Sequence, residues 1–123
     1  MFDSKAITRE DGKEFIRACS VREVPRRQGK NIYFDEETQV AIFMIADALY
    51  AVNNICPHQH APVIAEGFIE DCTVTCPLHG WIYDLETGKA IGGHGRLKTY
   101  EIYLDGESVM LEKPEPVEPT WTI

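Results

Sequence analysis

The chain reads as an all-β fold, and three features of the sequence predict it. Short runs rich in Val, Ile, Phe, Tyr and Thr recur along most of its length, with period-two or continuous apolar patterning. Gly, Pro, Asn and Asp stand between these runs as turn residues. Only one short stretch carries helix chemistry. Many short strands with turns between them indicate a sandwich or barrel.

The elements follow in order. The first ten residues read as a polar leader. Glu14 to Cys19 forms a first strand. Ser20 to Val24 is a single helical turn, opened by a capping serine and stopped by Pro25. Lys30 to Phe34 is the next strand. Gln39 to Ile45 is apolar on both alternating faces, Val40, Ile42 and Met44 on one and Ala41, Phe43 and Ile45 on the other, so it is buried on both sides. A tight turn at Asp47 leads into Leu49 to Ile55. Thr73 to Cys76 and Trp81 to Asp84 are further short strands. Tyr100 to Leu104 and Ser108 to Glu112 flank Asp105-Gly106, a hairpin signal. The tail from 113 to 123 carries Pro114, Pro116 and Pro119 and is expected to lie extended on the surface.

With 123 residues, 44% hydrophobic and 26% charged, the chain has apolar material for one packed core but not two, so residues 1–123 are expected to form a single domain. A second catalytic domain does not fit, and demanding chemistry falls to a cofactor or a partner. The formal charge of −8 repels phosphate backbones, which argues against nucleic acid. The same field attracts proteins with basic docking patches, and it also serves solubility. The charged N-terminus is unlike a secretory signal, and the longest apolar run, Val40 to Ala46, is too short to span a bilayer, so no membrane association is expected. Without an export signal the default compartment is the reducing cytoplasm, where grouped Cys and His point to metal rather than to disulfides.

Two segments carry such a group: Cys56-Pro57-His58 and Cys76-Pro77-Leu78-His79, a C-x-H and a C-x-x-H separated by seventeen residues. Each puts a thiolate and an imidazole on one loop after an apolar strand. Cys thiolates hold iron–sulfur clusters, and exchanging two of four thiolates for neutral imidazoles removes negative charge and raises the reduction potential. Structural zinc also accepts two Cys and two His, though zinc fingers more often pair Cys with Cys and His with His. A catalytic Cys–His dyad would leave the repeated pattern unexplained.

These loops resemble the two cluster-binding loops of the Rieske [2Fe–2S] family. The likeness extends through Cys76-Pro77-Leu78-His79-Gly80-Trp81, Tyr83-Asp84-Leu85 and Thr87-Gly88, and covers about residues 13–112. It implies a Rieske-like fold of three small antiparallel sheets, with a cluster-binding subdomain at the tip over about 55–83. It implies one [2Fe–2S] cluster held by Cys56, His58, Cys76 and His79, with the His ligands near solvent. Respiratory and photosynthetic members carry a further disulfide between the loops. His60 and Leu78 stand at the matching places, so that bridge cannot form here. Trp81 replaces a serine that donates to a bridging sulfide in high-potential members, while Tyr83 matches a tyrosine that donates to a cluster cysteine. The resemblance is therefore to soluble low-potential Rieske ferredoxins and to the small subunit of NADH-dependent nitrite reductase.

The implied activity is one-electron transfer from a reductase to an oxygenase or other terminal oxidoreductase, by a carrier rather than a catalyst. The alternatives are a nitrite reductase small subunit bound to its large subunit, and a zinc-binding interaction module. His60 is the rival ligand, and a polar loop position is its expected role; His94 is expected at the surface. Cys19 and Cys72 fall on strand patterns as small hydrophobes. Pro62, Val63, Leu78 and Trp81 are expected to form an apolar collar that limits water access. Arg22, Arg26, Arg27 and Lys30 form a basic group that is either a solvated turn or a docking site. The stretch 91–96 is rich in glycine and lacks the proline of many relatives' third loop.

Overall fold

The computed structural model describes residues 6–8, 13–57, 60–78, 80–92 and 95–114. They form eleven strands: β1 (Ala6–Thr8), β2 (Glu14–Ser20), β3 (Lys30–Asp35), β4 (Thr38–Ile45), β5 (Ala48–Asn53), β6 (Phe68–Glu70), β7 (Thr73–Thr75), β8 (Ile82–Asp84), β9 (Thr99–Tyr100), β10 (Ile102–Asp105) and β11 (Ser108–Glu112). Three antiparallel sheets result, ordered β1-β2-β11-β10, β3-β4-β5-β9 and β6-β7-β8. The all-β expectation and the three small sheets both hold.

Strand β4 lies between two cores, as its doubly apolar pattern requires. Val40 and Ile42 face a core with Ala18, Cys19, Ile32, Ala51, Val109 and Leu111. Ala41 and Phe43 face the other, which contains Val52, Ile64, Val74, Tyr83, Leu85 and Leu97 together with Cys56 and Cys76. Every residue from Val40 to Phe43 is fully buried. The expected turn at Asp47 is present, with both Ala46 and Asp47 in the left-handed region, the backbone that a two-residue hairpin of this twist needs.

Several boundaries differ from the sequence reading, each for a local reason. The strand expected over Tyr100 to Leu104 is two: Tyr100 pairs with Ala51 in the middle sheet, and Ile102 pairs with Leu111 in the first. The chain changes sheets at Glu101. The strand expected through Ile55 stops at Asn53, whose side-chain oxygen accepts from the Ile55 N–H and turns the chain. In the last hairpin Asp105 still pairs with Ser108, so the turn residues are Gly106 and Glu107. The expected helical turn is a 3-10 turn over Val21–Glu23, with a reciprocal capping box between Ser20 and Glu23. Within the expected polar leader, Ala6–Thr8 pairs with β2. Strand β6 and a 3-10 turn over Ile64–Glu66 were not anticipated. Of the expected extended tail, residues 115–123 lie outside the described residues.

Candidate metal centre

The strands deliver two cysteines to one place. Cys56 follows β5 and Cys76 follows β7; both side chains are fully buried in the same core cluster. None of Cys19, Cys56, Cys72 and Cys76 is joined in a disulfide.

The two loops share one hydrogen-bond frame. In the first, the Cys56 N–H donates to the Ala61 carbonyl at 2.9 Å and the His60 N–H donates to the Cys56 carbonyl at 2.7 Å. In the second, the Cys76 N–H donates to the Trp81 carbonyl at 2.7 Å and the Gly80 N–H donates to the Cys76 carbonyl at 3.1 Å. Position for position the pattern is the same. Each loop closes through a residue with positive φ, His60 at 52° and Gly80 at 76°. Glycine takes that conformation at little cost; a histidine there is strained and marks a position fixed by its surroundings.

His58 and His79 lie outside the described residues, as do Gln59 and His94. In sequence, His58 and His79 each fall between a cysteine and its left-handed closing residue. Among the described residues no group of three or more His, Cys, Asp or Glu gathers as a metal-binding set. His60 is exposed and serves as the loop-closing residue.

Tyr83 is fully buried, and its hydroxyl lies 4.0 Å from Cys56 Sγ. Burial, then the neighbouring Cys56, push the phenol well above the ordinary tyrosine range, so it stays protonated. A thiolate at Cys56 can only accept, which makes the phenol the donor. Trp81 and Val63 pack against the core cluster, as an apolar collar requires. Pro62 and Leu78 do not join them. Both are exposed, Leu78 at 44%.

Other positions resolve differently. Cys19 is buried on β2 as expected, and burial, with Glu23 second, raises its thiol pKa. Cys72 is not on a strand; it sits half-buried in the turn between β6 and β7, packed against the core that holds Cys56 and Cys76. The sequence reading missed the brace behind the first loop. Asn54 is 1% exposed, its Oδ1 accepts from the Ala65 N–H at 2.6 Å, and its carbonyl accepts from the Ile64 N–H at 3.1 Å. The adjacent Asn53-Asn54 pair ahead of Cys56 was its signal, since Asn side chains favour such backbone bonds. The basic group is divided: Arg22 pairs with Glu107 at 2.7 Å, Arg26 and Arg27 line one groove, and Lys30 on β3 lines another.

Two matched cysteine loops that bury their thiols in one core of a three-sheet β fold define a metal-binding protein. A family model for the Rieske-like [2Fe–2S] domain matches residues 14–112. The 3-phenylpropionate/cinnamic acid dioxygenase ferredoxin subunits of Shigella boydii and Escherichia coli K12 are each 36% identical over 103 residues, covering 81% of this chain and 94% of the relative. In fold, the ferredoxin of Sphingomonas yanoikuyae B1 matches at a TM-score of 0.72 and 24% identity, covering 80% of this chain and 98% of that one. A structure assigned to an NADH-dependent nitrite reductase small subunit of Mycobacterium tuberculosis matches at 0.74 and 22% identity, covering 85% and 98%. The chain belongs to the Rieske-like [2Fe–2S] domain family, and its cofactor is one Rieske-type [2Fe–2S] cluster. The donor chemistry fits that group: two buried thiols on twin loops, with a buried phenol beside one of them.

Proposed function

We propose that the protein is the ferredoxin component of a dioxygenase system, carrying one electron at a time from a reductase to an oxygenase. The observation that carries this reading is the pair of matched Cys loops within a chain 36% identical to dioxygenase ferredoxin subunits. Cys56 and Cys76 would hold one iron, and His58 and His79 the other. The cluster, when bound, supplies a one-electron couple. Tyr83 keeps a proton aimed at Cys56 and so stabilises the added negative charge. Trp81 and Val63 exclude water from the same side.

Residues 1–123 serve as one domain, with 55–83 as the cluster-binding part. No helix among the described residues is long and apolar enough to cross a membrane, and the compartment we propose is the cytoplasm. The small-subunit role in nitrite reduction rests on fold likeness at 22% identity, whereas the dioxygenase reading rests on sequence likeness as well.

Iron and acid-labile sulfide analysis, with EPR after dithionite reduction, tests the reading. The expected outcome is equal iron and sulfide and a signal that develops with one electron per chain. A colourless protein holding zinc overturns it. Co-purification with a nitrite reductase large subunit would favour the second role.

A further inference from the structure

The third sheet has two faces of opposite character. Its cross-strand row Ile69–Val74–Tyr83 points inward, with Val74 and Tyr83 fully buried. The neighbouring row Phe68–Thr75–Ile82 must therefore point outward, because side chains alternate along a strand. Phe68 is 70% exposed and Ile82 37%. Ile91 extends the row: its N–H donates to the Ile82 carbonyl at 2.8 Å, and it is 50% exposed. Three large apolar side chains thus form an uncovered band, which single scattered surface hydrophobes do not.

Charge marks one end of this band. Beside Phe68 opens a groove of about 610 Å³ lined by Arg26, Arg27, Gln28, Glu66 and the start of β6. Among the described residues neither arginine has an ion-pair partner, although the chain carries a net charge of −8. Two guanidiniums against the one carboxylate of Glu66 make the groove a basic island in an acidic molecule. Strand β6 is the outer strand of its sheet, and no described strand pairs with its far side. An open strand edge accepts an extended segment through main-chain hydrogen bonds. The Gly29 N–H donates to the Ala65 carbonyl at 2.8 Å and pins the arginine-bearing loop against this part of the fold.

We propose that the Phe68–Ile82–Ile91 band and the Arg26–Arg27 groove form one docking surface for a redox-partner protein that presents an extended segment bearing both apolar side chains and carboxylates. The proposal rests on the carrier reading and adds where and by what chemistry a partner binds. Its position suits that task. Phe68 is paired with Thr75, the residue before Cys76, so a partner seated there touches the strand that ends at a cluster cysteine. The local opposed charges would fix the register of the docked segment against the molecule's overall negative field, and the apolar band would hold the docked state.

The probe is a fluorescein-labelled peptide, acetyl-Glu-Ile-Glu-Phe-Glu-Val-amide, titrated with the cluster-loaded protein at low and high salt and followed by anisotropy. Its control has Lys in place of Glu. The expected outcome is binding of the acidic peptide alone, weakened at least tenfold by salt and at least tenfold by R26E/R27E. Phe68→Ser should weaken it several-fold at both salt concentrations. An unchanged visible spectrum in the variants shows that they fold and load the cluster. Equal binding of both peptides, no binding of the acidic one, or full binding by R26E/R27E overturns the proposal. Voltammetry on the same samples is read separately: a redox-inert cluster counts against the carrier reading, whatever the peptide does.

Discussion

His60 and Gly80 occupy equivalent places in the two loops, and the difference between them sorts loop closure from ligation. If His60 only closes its loop, His60→Ala keeps full iron and sulfide, and His60→Gly, which takes positive φ readily, raises stability slightly. His58→Ala and Cys56→Ser, in contrast, should lose most or all of the iron; full occupancy in His58→Ala would sink the assignment. Tyr83 permits a sharper test. Its phenol lies 4.0 Å from Cys56 Sγ, and a hydrogen bond there contributes about 0.5–1.5 kcal/mol. For a one-electron couple that is on the order of tens of millivolts. Tyr83→Phe should therefore lower the potential by that amount, within a range of roughly −150 to +300 mV for Rieske centres. An unchanged potential by protein-film voltammetry makes Tyr83 a packing residue only. Cys19 gives a pH test. Its folded pKa lies above the ordinary 9.0, so the unfolded chain ionises first and stability falls as pH rises past that point. Denaturant titrations of Cys19→Ala should show a flatter alkaline decline than the wild type. The cysteines were legible in the sequence from their paired spacing with histidines, and Tyr83 through the family resemblance of the strand after the second loop. Asn54 was not, because its role depends on Ala65, eleven residues away, coming within reach.

Strands that bury both faces, or that carry a turn of fixed chemistry, were legible as elements. Strand β4 and the Asp47 turn are examples. Strand β6 was not, since its three residues alternate exposed, partly buried and exposed, and no apolar run announces them. Tyr100 to Leu104 misled for a different reason. A strand-like run broken only by Glu101 does not say which sheet each half joins, and only the pairings with Ala51 and Leu111 decide it. At this scale Gly88 is the most exacting position. It has φ of +77°, and a Cβ there would lie 1.9 Å from the Leu97 carbonyl oxygen. The Leu97 N–H also donates to the Gly88 carbonyl at 2.7 Å, so the two segments cannot separate without losing a bond. Gly88→Ala should destabilise the protein by at least ~1–3 kcal/mol, from the left-handed backbone alone. Urea unfolding monitored by circular dichroism measures it, and a wild-type midpoint would show that the close approach relaxes freely.

Across the whole molecule, the all-β class was readable from strand density and turn chemistry and the three small sheets from the family resemblance, while the coupling among the sheets was not. If the two loops hold one cofactor, it links parts of the chain twenty residues apart at Cys56 and Cys76. Metal binding of this kind adds directly to folding stability. Iron removal by a chelator under reducing conditions should lower the melting temperature by several degrees or more. Calorimetry of the loaded and stripped forms would reveal an equal melting temperature if the loops stand without it. The sheet change at Glu101 has a consequence of its own. Its backbone carbonyl accepts from the Glu112 N–H at 2.9 Å, its own N–H donates to Glu112 Oε1 at 2.9 Å, and its carboxylate meets Lys13 at 3.2 Å. A single residue thus fastens the end of one sheet to the start of another. These bonds hold the residue that follows β9 to the first sheet, so the slowest-exchanging amides of β4 and β11 should be released in one common opening event, with a single free energy, rather than in two.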